Sequence, residues 1–209
     1  YSDEGVTTES GQPIALSVSG SNIVDVDVTD GSGQFSLSGA GIPANEVVTV
    51  FWDTNDGTGA VVVTVASGSD ITNLDLYQNH LIVRNETGGI INTNHLAIAD
   101  NSRDYNILDI YETGGSGTFV KPRNELLVWN NTTFTLTGSL FVGSGVTING
   151  TLNPGNHQMH VQGDWTNRGT FNRGTSTVVL NGSGQILTGS TVFDNCLLYT
   201  SPSPRDFAI

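Results

Sequence analysis

"VTINGTLNPGNHQMHVQGDWTNRGTFNRG", residues 146–174, breaks into "VTING" (146–150), "TLNPG" (151–155), "MHVQG" (159–163) and "TFNRG" (170–174). Each piece is a few strand-forming residues closed by glycine, which turns at positive φ without steric penalty. The same form continues on both sides, in "FTLTG" (134–138), "LFVG" (140–143), "TVVLNG" (177–182) and "QILTG" (185–189). Strands this short, with sharp corners at both ends and no long partner, do not build extended hairpins. They are the sides of a parallel β-helix. Coils of about 20–25 residues would stack about 4.8 Å apart and pair between coils rather than within them. Residues 80–195 then make about five coils. Asparagines at the turns (Asn85, Asn130, Asn149, Asn181) are placed to form side-chain amide ladders up the stack.

Upstream, "NHLIVRN" (79–85), "NHLAIAD" (94–100) and "NELLVWN" (124–130) share one form, with a looser copy, "NHQMHVQ", from Asn156. Read as strands, they point Leu81, Val83, Leu96, Ile98, Leu126 and Val128 inward and His80, His95 and Glu125 outward. Before residue 70 the rhythm differs. "IALSVSG" (14–20), "IVDVDVT" (23–29), "QFSLSG" (34–39), "VVTVFWD" (47–53) and "AVVVTVA" (60–66) read as strands separated by turn clusters. In the second of these Val24, Val26 and Val28 share the face expected inside, and Asp25 and Asp27 the wet one. The expected fold class is all-β: a small β-sandwich-like N-terminal part (1–70), then a parallel β-helix or solenoid (71–195). The same five strands would also serve as irregular first coils of a longer solenoid.

Composition narrows the function. Glycine is 26 of 209 residues, charged residues are 13%, and the net charge is −13. Low charge with many turn formers fits β structure rather than helices. The scattered basic residues and the acidic field exclude a nucleic-acid partner. No apolar run approaches the length of a membrane span, so no membrane insertion is expected in this segment. Residue 1 is Tyr, so the chain reads as an internal fragment.

"LDLYQNHLIVRNE" (74–86) and "GDWTNRGTFNRGTSTVVLNGSGQILTGSTVFDN" (163–195) resemble repeats of very large predicted surface proteins of uncultured environmental bacteria. Similar "GxWxNxGTFxxGTSTVxxxG" stretches occur in β-helical, adhesin-like stalks. The resemblance covers roughly residues 46–195. It implies a β-solenoid segment at an extracellular or cell-surface location, and it brings no catalytic motif. Against that dialect, "CLLYTSPSPRD" (196–206) is foreign. It resembles the translation of a common transposase sequencing adapter, so residues 196–209 are expected to be a non-native tail. They should make few contacts, apart from Leu197 and Leu198, which the unpaired backbone of an open last coil can attract. On that reading Cys196 supports no disulfide or thiolate-metal inference.

Candidate chemistry is sparse. Asp25, Asp27, Asp30, Asp53 and Asp56 bring carboxylates to glycine turns, which makes calcium the one cofactor to weigh. Counted from Asp25, the closing position of an EF-hand loop is Ser36, so that motif fails, and Asp-Gly closes hairpins equally well. The histidines lack metal-ligand spacing and read as solvated. "ADNSRDYNILD" (99–109) gathers Asp100, Arg103, Asp104 and Asp109 and is the one basis for the alternative, a carbohydrate-active β-helix enzyme. Trp129, beside Asn130, follows the inward pair of its repeat. It suits either a sugar-stacking surface or packing beneath a loop, whereas Trp52 and Trp165 read as core. The function expected is a structural or adhesive segment without catalysis, its partners surface glycans or other surface proteins.

Overall fold

The computed structural model describes residues 7–38, 41–54, 57–101 and 103–199. Four strands come first: β1 (Pro13–Val18), β2 (Ile23–Val28), β3 (Val47–Trp52) and β4 (Val61–Val65). The first coil contributes β5 (His80–Val83) and β6 (Ile90–Asn92). An insertion follows, with helices α1 (Thr93–Asp100) and α2 (Tyr105–Leu108) and strand β7 (Tyr111–Gly114), and then β8 (Gly117–Val120). Three regular coils come next: β9 (Glu125–Val128), β10 (Thr133–Thr135) and β11 (Leu140–Val142); β12 (Val146–Ile148), β13 (Thr151–Asn153) and β14 (Gln158–Val161); β15 (Trp165–Asn167), β16 (Thr170–Phe171) and β17 (Thr177–Leu180). β18 (Leu187–Gly189) and β19 (Asn195–Leu198) belong to the last.

Equivalent strands stack in parallel and in register into three sheets, as the glycine-punctuated pattern predicts. Leu126, Val146, Trp165 and Leu187 lie one above another, so each coil advances by about 20 residues. Inward positions alternate strictly with outward ones. Phe134, Leu140, Ile148, Leu152, Met159, Val161, Trp165 and Val178 fill the dry interior. Glycine serves the corners partly in a way the sequence reading did not foresee. Gly150 and Gly169 are not at positive φ. They are glycine because the coils touch there: a Cβ on Gly169 would lie 2.1 Å from the Gly150 carbonyl oxygen.

The first four strands do not form a separate sandwich. They continue one solenoid sheet, in the order β18-β15-β12-β9-β5-β4-β3-β1-β2, with antiparallel pairing from β4 through β2. The alternative, irregular first coils, is met only in that the strands extend the solenoid sheet; being paired antiparallel, they are not coils. One face of β1, β3 and β4 packs on the solenoid core through Ala15, Phe51 and Val63. The other builds a second core from Ile14, Leu16, Val48, Val50, Trp52 and Val62. Phe35, Leu37, Ile42, Ile71 and Leu74 cover that second face from loops, and no second sheet faces it among the described residues. β3 and β4 are therefore buried on both faces, which is why their sequences are almost continuously apolar rather than alternating.

Two local expectations are overturned here. Residues 34–38 are not a strand. Val24, Val26 and Val28 are not inside but more than half exposed, because β2 is the sheet edge and, among the described residues, nothing covers its valine face. Asp25 and Asp27 lie on the opposite face, where they hold the 34–38 segment. Ser38 N–H donates to Asp25 (2.5 Å) and Ser36 N–H to Asp27 (2.6 Å). The same carboxylates also accept from the adjacent N–H groups of β2, Asp25 from Val26 and Asp27 from Val28.

The expected repeat at 94–100 is a helix. Asn92 caps it, accepting from Asn94 N–H and His95 N–H, while His95 Nδ1 accepts from Asn92 N–H at 3.0 Å. In helical register Leu96 and Ala99 face the core, and Ile98, expected inside, is 41% exposed. His95, expected outside, is half-buried by its capping role, and burial pushes its imidazole below the usual value. α1, Ile107, Ile110 and Tyr111 together plug the first coil's open end. Burial, with Asp100 nearby, pushes the Tyr111 phenol well up, and its hydroxyl donates to the Leu96 carbonyl.

At the far end β19 pairs in parallel with β17, so residues 196–198 do make backbone contacts, and Leu197 and Leu198 are drawn onto the last coil. Their side chains stay exposed. Residues 200–209 lie outside the described residues.

Leu126→Ala should lower unfolding free energy in a denaturant titration by about 2–5 kcal/mol, as for other fully buried leucines. Gly169→Ala should cost about 1–3 kcal/mol, since the atom it meets is backbone. At Gly115 an added Cβ meets nothing within 4 Å. The same change there should stay within about 0.5 kcal/mol.

Candidate functional site

Trp129 directly follows β9 on the outward face of the large sheet, where the second core gives way to solvent. It is half-buried, and Asn130 beside it is exposed. Its neighbours come from the loop leading into β5 and from the residues just after that strand. Tyr77 lies 6.1 Å away, ring centre to ring centre, and the Arg84 guanidinium sits 5.6 Å over the indole. The structure thus places Trp129 as the packing alternative describes, with one ring face already occupied by a cation.

Arg84 organises this corner. Strand periodicity puts Ile82, Arg84 and Glu86 on one side, so the ion pair between Arg84 and Glu86 (3.0 Å) needs no turn. The guanidinium also donates to the carbonyls of Asn73 (2.6 Å) and Thr72 (3.5 Å). Glu86 in turn accepts from Thr64 Oγ1 at 3.0 Å. A buried arginine is tolerable only with such pairing. His80, expected to be exposed, is buried at 8% because its side of the sheet is covered by the second core rather than by water. Its Nδ1 lies 2.7 Å from the Gln78 carbonyl, and its Nε2 lies 3.7 Å from Glu125, which is half-buried rather than exposed. Sequence reading passed over Arg84. The available signal was its isolation: it is the first basic residue in the chain, set directly after an apolar strand with a glutamate two positions on.

The calcium candidates do not converge. Asp25 and Asp27 anchor the 34–38 segment. Asp30 closes its own turn, accepting from Ser32 N–H (2.7 Å) and Gln34 N–H (2.9 Å). Asp53 sits apart, accepting from Asn106 Nδ2 at 3.0 Å, and Asp56 lies outside the described residues. Among the described residues no three His, Cys, Asp or Glu side chains are grouped to hold a metal ion.

Two of the three carboxylates of 99–109 are likewise engaged in the fold. Asp100 is buried and accepts from Thr113 N–H and Oγ1, both at 2.8 Å. Asp104 caps α2 through Asn106 N–H (2.9 Å), while Arg103 and Asp109 are exposed. Outside the solenoid, Phe119, Phe141 and His160 stack in a column with ring centres 4.6 and 4.8 Å apart. Stacked along the axis, these rings use their faces on one another and turn their edges outward.

The N–H groups of Ser36 and Val28 hold the Asp27 carboxyl below its ordinary value of 3.8. Folding therefore gains stability from this group above its unfolded pKa and loses it as pH falls through the lowered folded value. Melting followed from about pH 5 to pH 2 should show a shallower acid limb for Asp27→Asn than for the native chain. Identical limbs would remove Asp27 as an acid-sensitive anchor. Trp129→Ala should destabilise by about 1–3 kcal/mol, a partly buried aromatic being lost together with its cation contact; a change near zero would mean that the indole does not pack.

Among the described residues no helix is long and apolar enough to cross a membrane. Set against known proteins, the chain matches no family model, no curated protein and no solved structure.

Proposed function

We propose that this chain is a structural or adhesive, non-catalytic segment of a bacterial cell-surface or secreted protein. The observation that carries the reading is the outer face of the β6-β10-β13-β16 sheet. Ile90, Thr133, Thr151 and Thr170 form one column there, with Asn92, Thr135 and Asn153 beside it and Asn172 continuing the second column. None of these side chains is charged, on a molecule of net charge −13. The second column is laced together, Asn172 Nδ2 donating to Asn153 Oδ1 at 2.7 Å and Asn153 Nδ2 to Thr135 Oγ1 at 3.3 Å. Threonine is stiff at χ1, so its hydroxyls are held in rank. A rigid, neutral, repeating surface favours many weak contacts with a neutral glycan or another surface protein. Catalysis instead needs convergent groups in a cleft, and the carboxylates best placed for it already serve helix caps and turns.

The test is a glycan array and a polysaccharide digest on the same protein. Weak binding of neutral glycans is expected, with Kd at or above about 0.1 mM. It should fall when Thr151→Lys places a charge on the face, and Trp129→Ala reports whether the neighbouring corner, with Asn130, contributes. Release of reducing ends or unsaturated sugars, abolished by Asp104→Asn, would overturn the reading in favour of a carbohydrate-active enzyme.

A further inference from the structure

The two columns on the outer face of the β6-β10-β13-β16 sheet differ in what their polar atoms do. In the second, Thr135, Asn153 and Asn172 are tied to one another, and Asn92 is engaged in capping α1. In the first, the hydroxyls of Thr133, Thr151 and Thr170 have no hydrogen-bond partner among the described residues, so water must satisfy all three. Ile90 continues that column without a hydroxyl, at 56% exposure. Every residue of the column is β-branched, so each presents a methyl group at a restricted χ1 beside its neighbour's.

We propose that this face binds ice, an inference that rests on the adhesive reading and names the partner of the same surface. In-register parallel pairing sets the three free hydroxyls about 4.8 Å apart. Water joined tetrahedrally by O–H···O bonds of about 2.75 Å has its second neighbours about 4.5 Å apart. Water molecules bonded to successive threonines therefore fall close to second-neighbour positions of the ice lattice. The methyl groups between them offer water no competing partner, so the bound waters complete their bonds with one another. A neutral glycan could use the same hydroxyls without needing their period; the period selects a crystal. Charge matters too, because an ionised side chain organises a hydration shell of its own that the lattice cannot absorb. The contrast lies on the large sheet. Thr147, Thr166 and Thr188 also form a column there, but exposed Asp164 and Arg168 stand two positions to either side of Thr166. Stiff side chains on a hydrogen-bonded stack also lose little freedom on adsorption. Three hydroxyl ranks make a short row, so the effect expected is slowed recrystallisation and capture by growing ice.

The experiment measures ice recrystallisation and incorporation into a slowly growing ice front, on the full chain, with the glycan array run beside them. The native chain should slow grain growth relative to an equal mass of an inert protein and be enriched in the ice fraction. Thr151→Val removes the middle hydroxyl and keeps the branch, and it should lower both readings. Thr151→Lys should abolish both, while Thr166→Lys, on the charge-flanked column, should leave both intact. Matching thermal midpoints establish that the variants fold alike. A native chain excluded from ice, or one whose capture is unmoved by Thr151→Val and Thr151→Lys, would overturn the proposal, as would an equal loss with Thr166→Lys. Neutral-glycan binding with exclusion from ice would sink the ice partner alone and leave the adhesive reading standing. Capture by ice without glycan binding would uphold the proposal and replace the glycan as the partner of this face. Absence of both would remove the face as an adhesive surface.

Discussion

Everything in this molecule depends on backbone hydrogen bonding between coils that are each too small to be stable alone. A coil of about 20 residues has three short sides and an interior a few side chains wide. It cannot bury Phe134 or Trp165 without a neighbour above and below. In-register stacking solves the backbone and side-chain problems together, because the carbonyl that accepts a bond from the next coil also fixes which residue stands over which. The corner glycines follow from the same spacing. Where two corners approach as closely as at Gly150 and Gly169, no side chain can intervene.

A stack of this kind has two ends, and the chain treats them differently. At the start the solenoid sheet turns antiparallel and runs out through β3, β1 and β2, while α1 and the residues around α2 plug the hollow of the first coil. That sheet acquires a second, loop-covered core on its outer face. The buried Arg84 network belongs to this thickened end, where the regular coil rules lapse and polar groups meet irregular loops. The regular coils carry only ladders of like residues.

Much of the solenoid was legible because its signal is local. A strand of three residues closed by glycine, repeated without long partners, leaves few other architectures. What failed was local pattern with two solutions. In "NHLAIAD" the leucine and isoleucine fit a strand, while Leu96 and Ala99 fit a helix. The arbiter was Asn92 with His95, a capping pair that lies partly outside the repeat. β2 was misread for another reason: its alternation is real, but alternation does not say which face is wet. That was decided by its place at the sheet edge, a property of topology rather than of residues 23–28. Trp129 was recognisable as unusual. Its partners Tyr77 and Arg84 lie some fifty residues earlier, joined to it only by the pairing of β5 with β9.

The aspartates of β2 close one margin of the long sheet. An edge strand offers its free N–H groups to any passing strand. Here Asp25 and Asp27 fold back onto Val26 and Val28 and occupy them, so that rim is sealed by its own side chains. The margin is thus blocked without the proline or lysine that commonly guards an edge, and growth of the sheet past β2 is stopped by the strand's own sequence.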